Sequence, residues 1–195
     1  MPVEGAGQRI VIRGTEIRSV ELEEYANFLR DIVFLHDRIW ILSHNHKSAE
    51  TLYYSNFFYT RGRRPVPKEQ RLRLLSAVIG SPFDLNINVN FGKSFDEAAK
   101  AFVEILRGIA TLPEYMKQEK LRTRALRVGV RSLEKVERAT VHNIIRSNSA
   151  VRELPAISDE KLAPIVKDAL RLAESPLRIQ TVVADRHEEG EAQNE

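Results

Sequence analysis

The sequence predicts an α+β fold: an antiparallel sheet with helices packed on one face, and a C-terminal helical segment. Three observations carry it. First, residues 83–91 alternate without a break, with Phe83, Leu85, Ile87, Val89 and Phe91 apolar and Asp84, Asn86, Asn88 and Asn90 polar. A strand sends successive side chains to opposite faces, so this segment buries one face and offers an Asx row on the other. Second, the apolar residues between Ser19 and Leu42 recur at helical spacing. Third, the strand-like segments come mostly before a run of helical ones, the order of a layered sheet-and-helix domain.

Residues 8–17 read as a strand, a turn at Arg13 and Gly14, and a second short strand. Ser19 opens a helix, with Glu23 and Glu24 in the first turns where acidic groups suit the dipole. Leu22, Tyr25, Leu29, Ile32, Val33, His36 and Trp40 form its stripe, and Phe28, Leu35, Ile39 and Leu42 widen it. So broad a stripe is best buried on more than one side. Phe34 falls on the opposite side with Arg30, Asp37 and Arg38.

A polar connection at 43–50 leads to a tyrosine- and phenylalanine-rich segment, 52–61, that reads as a strand. A basic, proline-bearing turn follows at 62–67, then a strand at 71–79. Pro82 lacks a donor and marks a strand start, an edge or a bulge. Ser94 with Glu97 makes a capping box for the next helix, whose face is Phe95, Ala98, Phe102, Ile105, Leu106, Ile109 and Leu112. Pro113 kinks or ends it.

A charged helical stretch covers 114–127, another helix 131–146 and a loop 147–157. Ser158 caps a helix reaching Glu174, unless Pro164 is its first residue. Residues 177–184 suit a last strand. The division this suggests is a sheet-and-helix domain at 8–112, a helical extension at 113–184 and a disordered acidic tail at 185–195.

The 195-residue length suits one domain with an appendage. Cysteine is absent, which excludes disulfides, thiolate metal sites and cysteine nucleophiles and fits a reducing compartment. The first residues show no basic segment followed by an apolar one, so no signal peptide is expected. No apolar run approaches the ~20 residues of a membrane span. A cytoplasmic chain with no membrane association is the expectation. The net charge is +3, and the acidic tail leaves the rest of the chain more basic than the total suggests.

Around Ser81-Pro82-Phe83-Asp84-Leu85 the chain resembles a loose group of uncharacterised prokaryotic α+β proteins. In these, an amphipathic first helix precedes a strand carrying a Ser-Pro-hydrophobic-acidic-hydrophobic motif, and a long helix follows. The resemblance covers about 10–109. It implies a prokaryotic setting and a similar domain, and no catalytic residues.

The chain carries no phosphate-binding glycine loop, dinucleotide fingerprint, metalloprotease motif or nucleophile elbow. His44 and His46 are spaced to share one side of an extended segment, with His36 two helical turns earlier. Spacing supplies no third ligand, so neither metal nor cofactor is expected, and a polar helix end explains the pair. The Asx row fits a solvated outer sheet face.

Two sets of residues remain as functional candidates. Phe34, Met116, Leu121 and Leu126 offer apolar surface, and the wide first helix asks for a covering partner. They support a non-enzymatic interaction module, an adaptor or regulatory subunit, that self-associates through its helices and meets a protein partner. Arg61, Arg63, Arg64, Arg122, Arg124 and Arg127 are clustered cations that attract phosphates, and they support nucleic-acid binding as the alternative. A hydrolase whose groups converge only in the fold is a minor third reading. A pocket holding His36 or His44 against a carboxylate is its signature.

Overall fold

The computed structural model describes residues 7–15, 20–46, 64–78, 82–92, 95–125, 130–154 and 158–185. Four strands, β1 (Gln8–Gly14), β2 (Arg73–Val78), β3 (Asp84–Val89) and β4 (Ile179–Asp185), form one sheet in the order β2-β3-β1-β4. Every neighbouring pair is antiparallel. β1 and β2 therefore run parallel on either side of β3, and β3 and β4 run parallel on either side of β1. Helix α1 (Leu22–Ser43) connects the first of these pairs. The second is connected by α2 (Phe95–Ala125), α3 (Val130–Ser147), the one-turn α4 (Ser149–Arg152) and α5 (Asp159–Glu174). This is the interlocked β-α-β-β-α-β arrangement called ferredoxin-like, with three helices added before the last strand.

Residue 112, where the sequence suggests a boundary, lies inside α2, and β4 hydrogen-bonds along β1. One sheet thus draws on both ends of the described chain. The alternation of 83–91 does what its period demands. Phe83, Leu85, Ile87, Val89 and Phe91 are buried, while the four Asx side chains are half-exposed. Ile10, Ile12, Ile179 and Val182 join the same buried face. Phe28 of α1 meets Phe83 edge-on, with ring centroids 5.5 Å apart, and fastens that helix under the sheet. α5 lies against α1, α2 and α3 at once.

Several expectations change. Gly14 makes no turn: it stays in β1, where a register shift follows Arg13 and its amide donates to the Phe83 carbonyl at 3.0 Å. Its need for glycine is contact, since a Cβ there would stand 1.6 Å from the Phe83 ring. α1 starts at Leu22 with a capping box between Glu21 and Glu24, and Leu22 is exposed; the expected opening Ser19 lies outside the described residues. α2 continues through Pro113, so of the two readings, kink or end, the end is excluded. α5 keeps the expected start, with Ser158 as its N-cap and Pro164 inside it. The expected loop at 147–157 contains α4, nucleated by Asn148, whose side chain accepts from the amides of Ala150 and Val151. The expected strand at 52–61 and the capping Ser94 lie outside the described residues.

Candidate interaction surfaces

The polar side of α1 is inside the molecule. Asp31, Asp37 and Arg38 are buried, and so is His36 on the apolar stripe. Two neighbours enclose them. α5 brings Asp168 against Arg38 and Arg171 against Asp31 (3.7 Å). The segment after residue 63 brings Arg64, which donates from Nε and Nη2 to both Asp37 oxygens at 2.8 and 2.7 Å. This planar fork suits a carboxylate. The same segment buries Val66, and its Gln70 accepts from the Trp40 indole at 2.6 Å. A Cβ on Gly92, which sits at φ +62°, would strike the Gln70 amide, so this strap, the helix and the end of β3 constrain one another.

Within this interior, His36 Nδ1 lies 3.0 Å from Asp37 Oδ1. With the proton on Nδ1 donated to Asp37, Nε2 is left as an acceptor, and it has no hydrogen-bond partner. The ring sits between Phe91 and Phe102, with centroids at 4.7 and 5.9 Å. Burial pushes the His36 pKa below its ordinary 6.5, against the raising effect of Asp37. Burial alone would raise Asp37, but the hydrogen bonds from His36 and Arg64 outweigh it and hold this carboxyl below its usual range. Asp168 is raised by burial, partly offset by Arg38. Asp31 is raised by burial and further by Asp168, with Arg171 pulling the other way.

An aspartate–histidine pair with a free Nε2 has the composition of a general base. Its geometry is that of a core: His36 is 0% exposed and faces aromatic rings. A depression lined by Arg146, Arg152, Ser158 and Asp159, and another between α2, α3 and α5, both lie away from it. His44 stacks on Trp40 with centroids 4.3 Å apart and accepts from or donates to Ser43. Among the described residues, no group of three or more His, Asp or Glu side chains stands together to hold a metal. None of the described helices is long and apolar enough to cross a membrane.

The surface features lie on the sheet. Its outer face carries Arg9 and Arg13 of β1 against Asn86 and Asp84 of β3, at 2.9 and 3.4 Å, and Asn86 also donates to Ser76. The Asx row is thus a cross-strand network that fixes arginines. The edge strand β2 is different. Leu74, Leu75 and Val78 are 50%, 55% and 58% exposed, and Leu75 is the extra residue of a bulge between Leu74 and Ser76. No described strand lies beyond β2. At the other edge, Arg107 of α2 reaches the Val182 carbonyl of β4 at 3.4 Å.

The sequence candidates distribute unevenly. Phe34 is half-buried and in contact with neighbours. Arg64 is committed to Asp37. Met116, Leu121, Arg122 and Arg124 are carried by α2, with their side chains outside the described residues, and Arg61, Arg63, Leu126 and Arg127 lie outside them altogether. Sequence reasoning missed the β2 edge. Its signal was a six-residue strand, Arg73–Val78, without acid, lysine or proline inside it. No family description, curated protein or solved structure significantly matches this chain.

Proposed function

We propose that this chain is a non-enzymatic interaction module, an adaptor or regulatory subunit of the cytoplasm, that self-associates. The observation that carries this reading is the edge of β2, where Leu74, Leu75 and Val78 are exposed. Soluble domains blunt their sheet edges with charge, proline, bulges or covering segments, because an unpaired edge is a template for another strand, and β2 carries one bulge, at Leu75. The only charge in β2 is Arg73 at its first position. The wide apolar stripe of α1, which in the sequence asks for a partner, is covered by the sheet, α5 and the strap, and among the described residues the β2 edge stays exposed. The absence of cysteine supports a reducing compartment.

The nucleic-acid alternative draws on less. Arg64 spends its fork on a buried carboxylate, and Arg9 and Arg13 of the outer sheet face are held by Asn86 and Asp84. The hydrolase reading meets the closed environment of His36 Nε2.

Light scattering after size exclusion tests the proposal. The wild-type chain should rise in mass from one chain toward two as concentration rises. A Leu75→Lys, Val78→Lys variant should remain one chain, since charge on an edge strand opposes pairing. A wild-type chain that stays at 22.3 kDa throughout contradicts the reading.

A further inference from the structure

We propose that the strap at 64–70 is an acid-released latch: one proton taken up by His36 frees Arg64 from Asp37 and lifts the strap from the end of α1. This inference is independent of the self-association reading.

The argument is one of two cations and one carboxylate. Asp37 Oδ1 takes two donors, Arg64 Nη2 at 2.7 Å and His36 Nδ1 at 3.0 Å, and Oδ2 takes Arg64 Nε at 2.8 Å. With the imidazole neutral, the charges of Asp37 and Arg64 cancel. A proton on Nε2 sets a second cation against the same carboxylate, and a surplus charge in a sealed site is costly. The new N–H also lacks an acceptor, because Nε2 has no hydrogen-bond partner. Relief requires one cation to leave. His36 is fixed in α1, fully buried between Phe91 and Phe102. Arg64 belongs to a surface segment, and its side chain is 25% exposed. Arg64 is therefore the cation that moves to water, and the imidazolium keeps the carboxylate.

The surroundings let the strap respond by itself. Besides the charged fork, neutral contacts hold it: the Trp40 indole on Gln70, Asn90 on the Glu69 carbonyl at 3.4 Å, and the buried Val66. Among the described residues, the charged groups that act on His36 are Asp37 of its own helix and Arg64 of the strap. The residues after β3 and α2 present the uncharged rings of Phe91 and Phe102. Lys68 and Glu69 of the strap are exposed, and Arg71 donates to the Val66 carbonyl at 3.1 Å. On α5, Asp168 and Arg171 are engaged with Arg38 and Asp31. The open strap admits a proton that the closed strap excludes, so acid favours opening. One proton per opening raises the open fraction by at most roughly tenfold per pH unit below the ordinary histidine value of 6.5.

The chain has no cysteine, so Val66→Cys places a single thiol on the buried side of the strap. Its labelling rate, divided by that of the unfolded chain at the same pH, measures opening. Val141→Cys, buried in α3, reports unfolding elsewhere. Between pH 7.5 and 5.5 the relative rate for Val66→Cys should rise about tenfold while that for Val141→Cys stays level. Adding His36→Phe should flatten the rise. If His36→Phe fails to fold, His36→Gln, whose amide still donates to Asp37, takes its place. Amide exchange of residues 66–71 in the unaltered chain, corrected for the intrinsic effect of pH, reads the same opening with no substitution in the strap.

A rise of equal size without His36 overturns the latch. So does a rise matched by Val141→Cys, which would be unfolding of the whole chain, and so does a flat profile in the presence of His36.

Discussion

His36 is a histidine that burial makes reluctant to take a proton in place. Its Nδ1 is engaged by Asp37, its Nε2 faces no acceptor, and Asp37 is already held by Arg64. Its folded pKa is lowered by burial, so the unfolded chain takes up this proton first as the medium acidifies. Stability that is full above about pH 6.5 should fall as pH drops from there toward the lowered folded value. Asp37 adds a loss only below the ordinary 3.8, because its folded pKa is depressed. The raised Asp31 and Asp168 act with the opposite sign: above 3.8 the folded state holds their protons longer, and acid there favours folding. The loss just below pH 6.5 that disappears in a His36 variant is the part that belongs to His36. Urea midpoints measured from pH 7 to 5 should decline for the wild type and be flatter for His36→Phe. Equal slopes would mean that the ring is not sealed in the folded state.

At the level of elements, what the sequence made legible depended on how local the signal was. β3 was readable because a period of two with one buried face has a single interpretation, and the residues of Phe83 to Phe91 keep it without exception. The last strand and α5 were readable for similar reasons. The polar side of α1 was not. Periodicity separates Asp31, Asp37 and Arg38 from the stripe, but what covers them comes from Arg64 and from Asp168, 130 positions beyond Arg38. The β2 edge escaped notice because exposure depends on strand order, and order is set by pairings across the whole chain. Gly14 was misread as a turn residue because its constraint is the Phe83 ring, which is distant in sequence. The Asn148 cap of α4, by contrast, was a local signal available to be read.

The same scale carries a stability prediction. Asp168 ties α5 to Arg38 in a site with almost no solvent. Removing one partner of a buried ion pair typically costs about 3–5 kcal/mol, because the other charge stays buried. Asp168→Ala should lose stability of that order by chemical denaturation. The double change of Asp168→Leu with Arg38→Met should recover most of it, since a matched apolar replacement removes both desolvation penalties. A loss within about 0.5 kcal/mol for the single variant, the level of ordinary surface changes, would place this pair in solvent.

On the scale of the whole molecule, the sheet unites the two ends of the described chain and leaves its two edges unequal. The helices cover one face, charged contacts tie α1 to α5, and the strap from Arg64 to Gln70 closes the end of α1. Among the described residues, Leu74, Leu75 and Val78 of β2 and Val183 of β4 are exposed, and the outer face is otherwise largely polar. On the proposed reading, the β2 edge is where one chain meets another. Amide hydrogen exchange tests it most directly, read strand by strand in dilute and in concentrated solution. Exchange in β2 should slow on concentration, with β4 unchanged. Exchange in β2 that is the same at both concentrations, in a sample that has become a dimer, would contradict it.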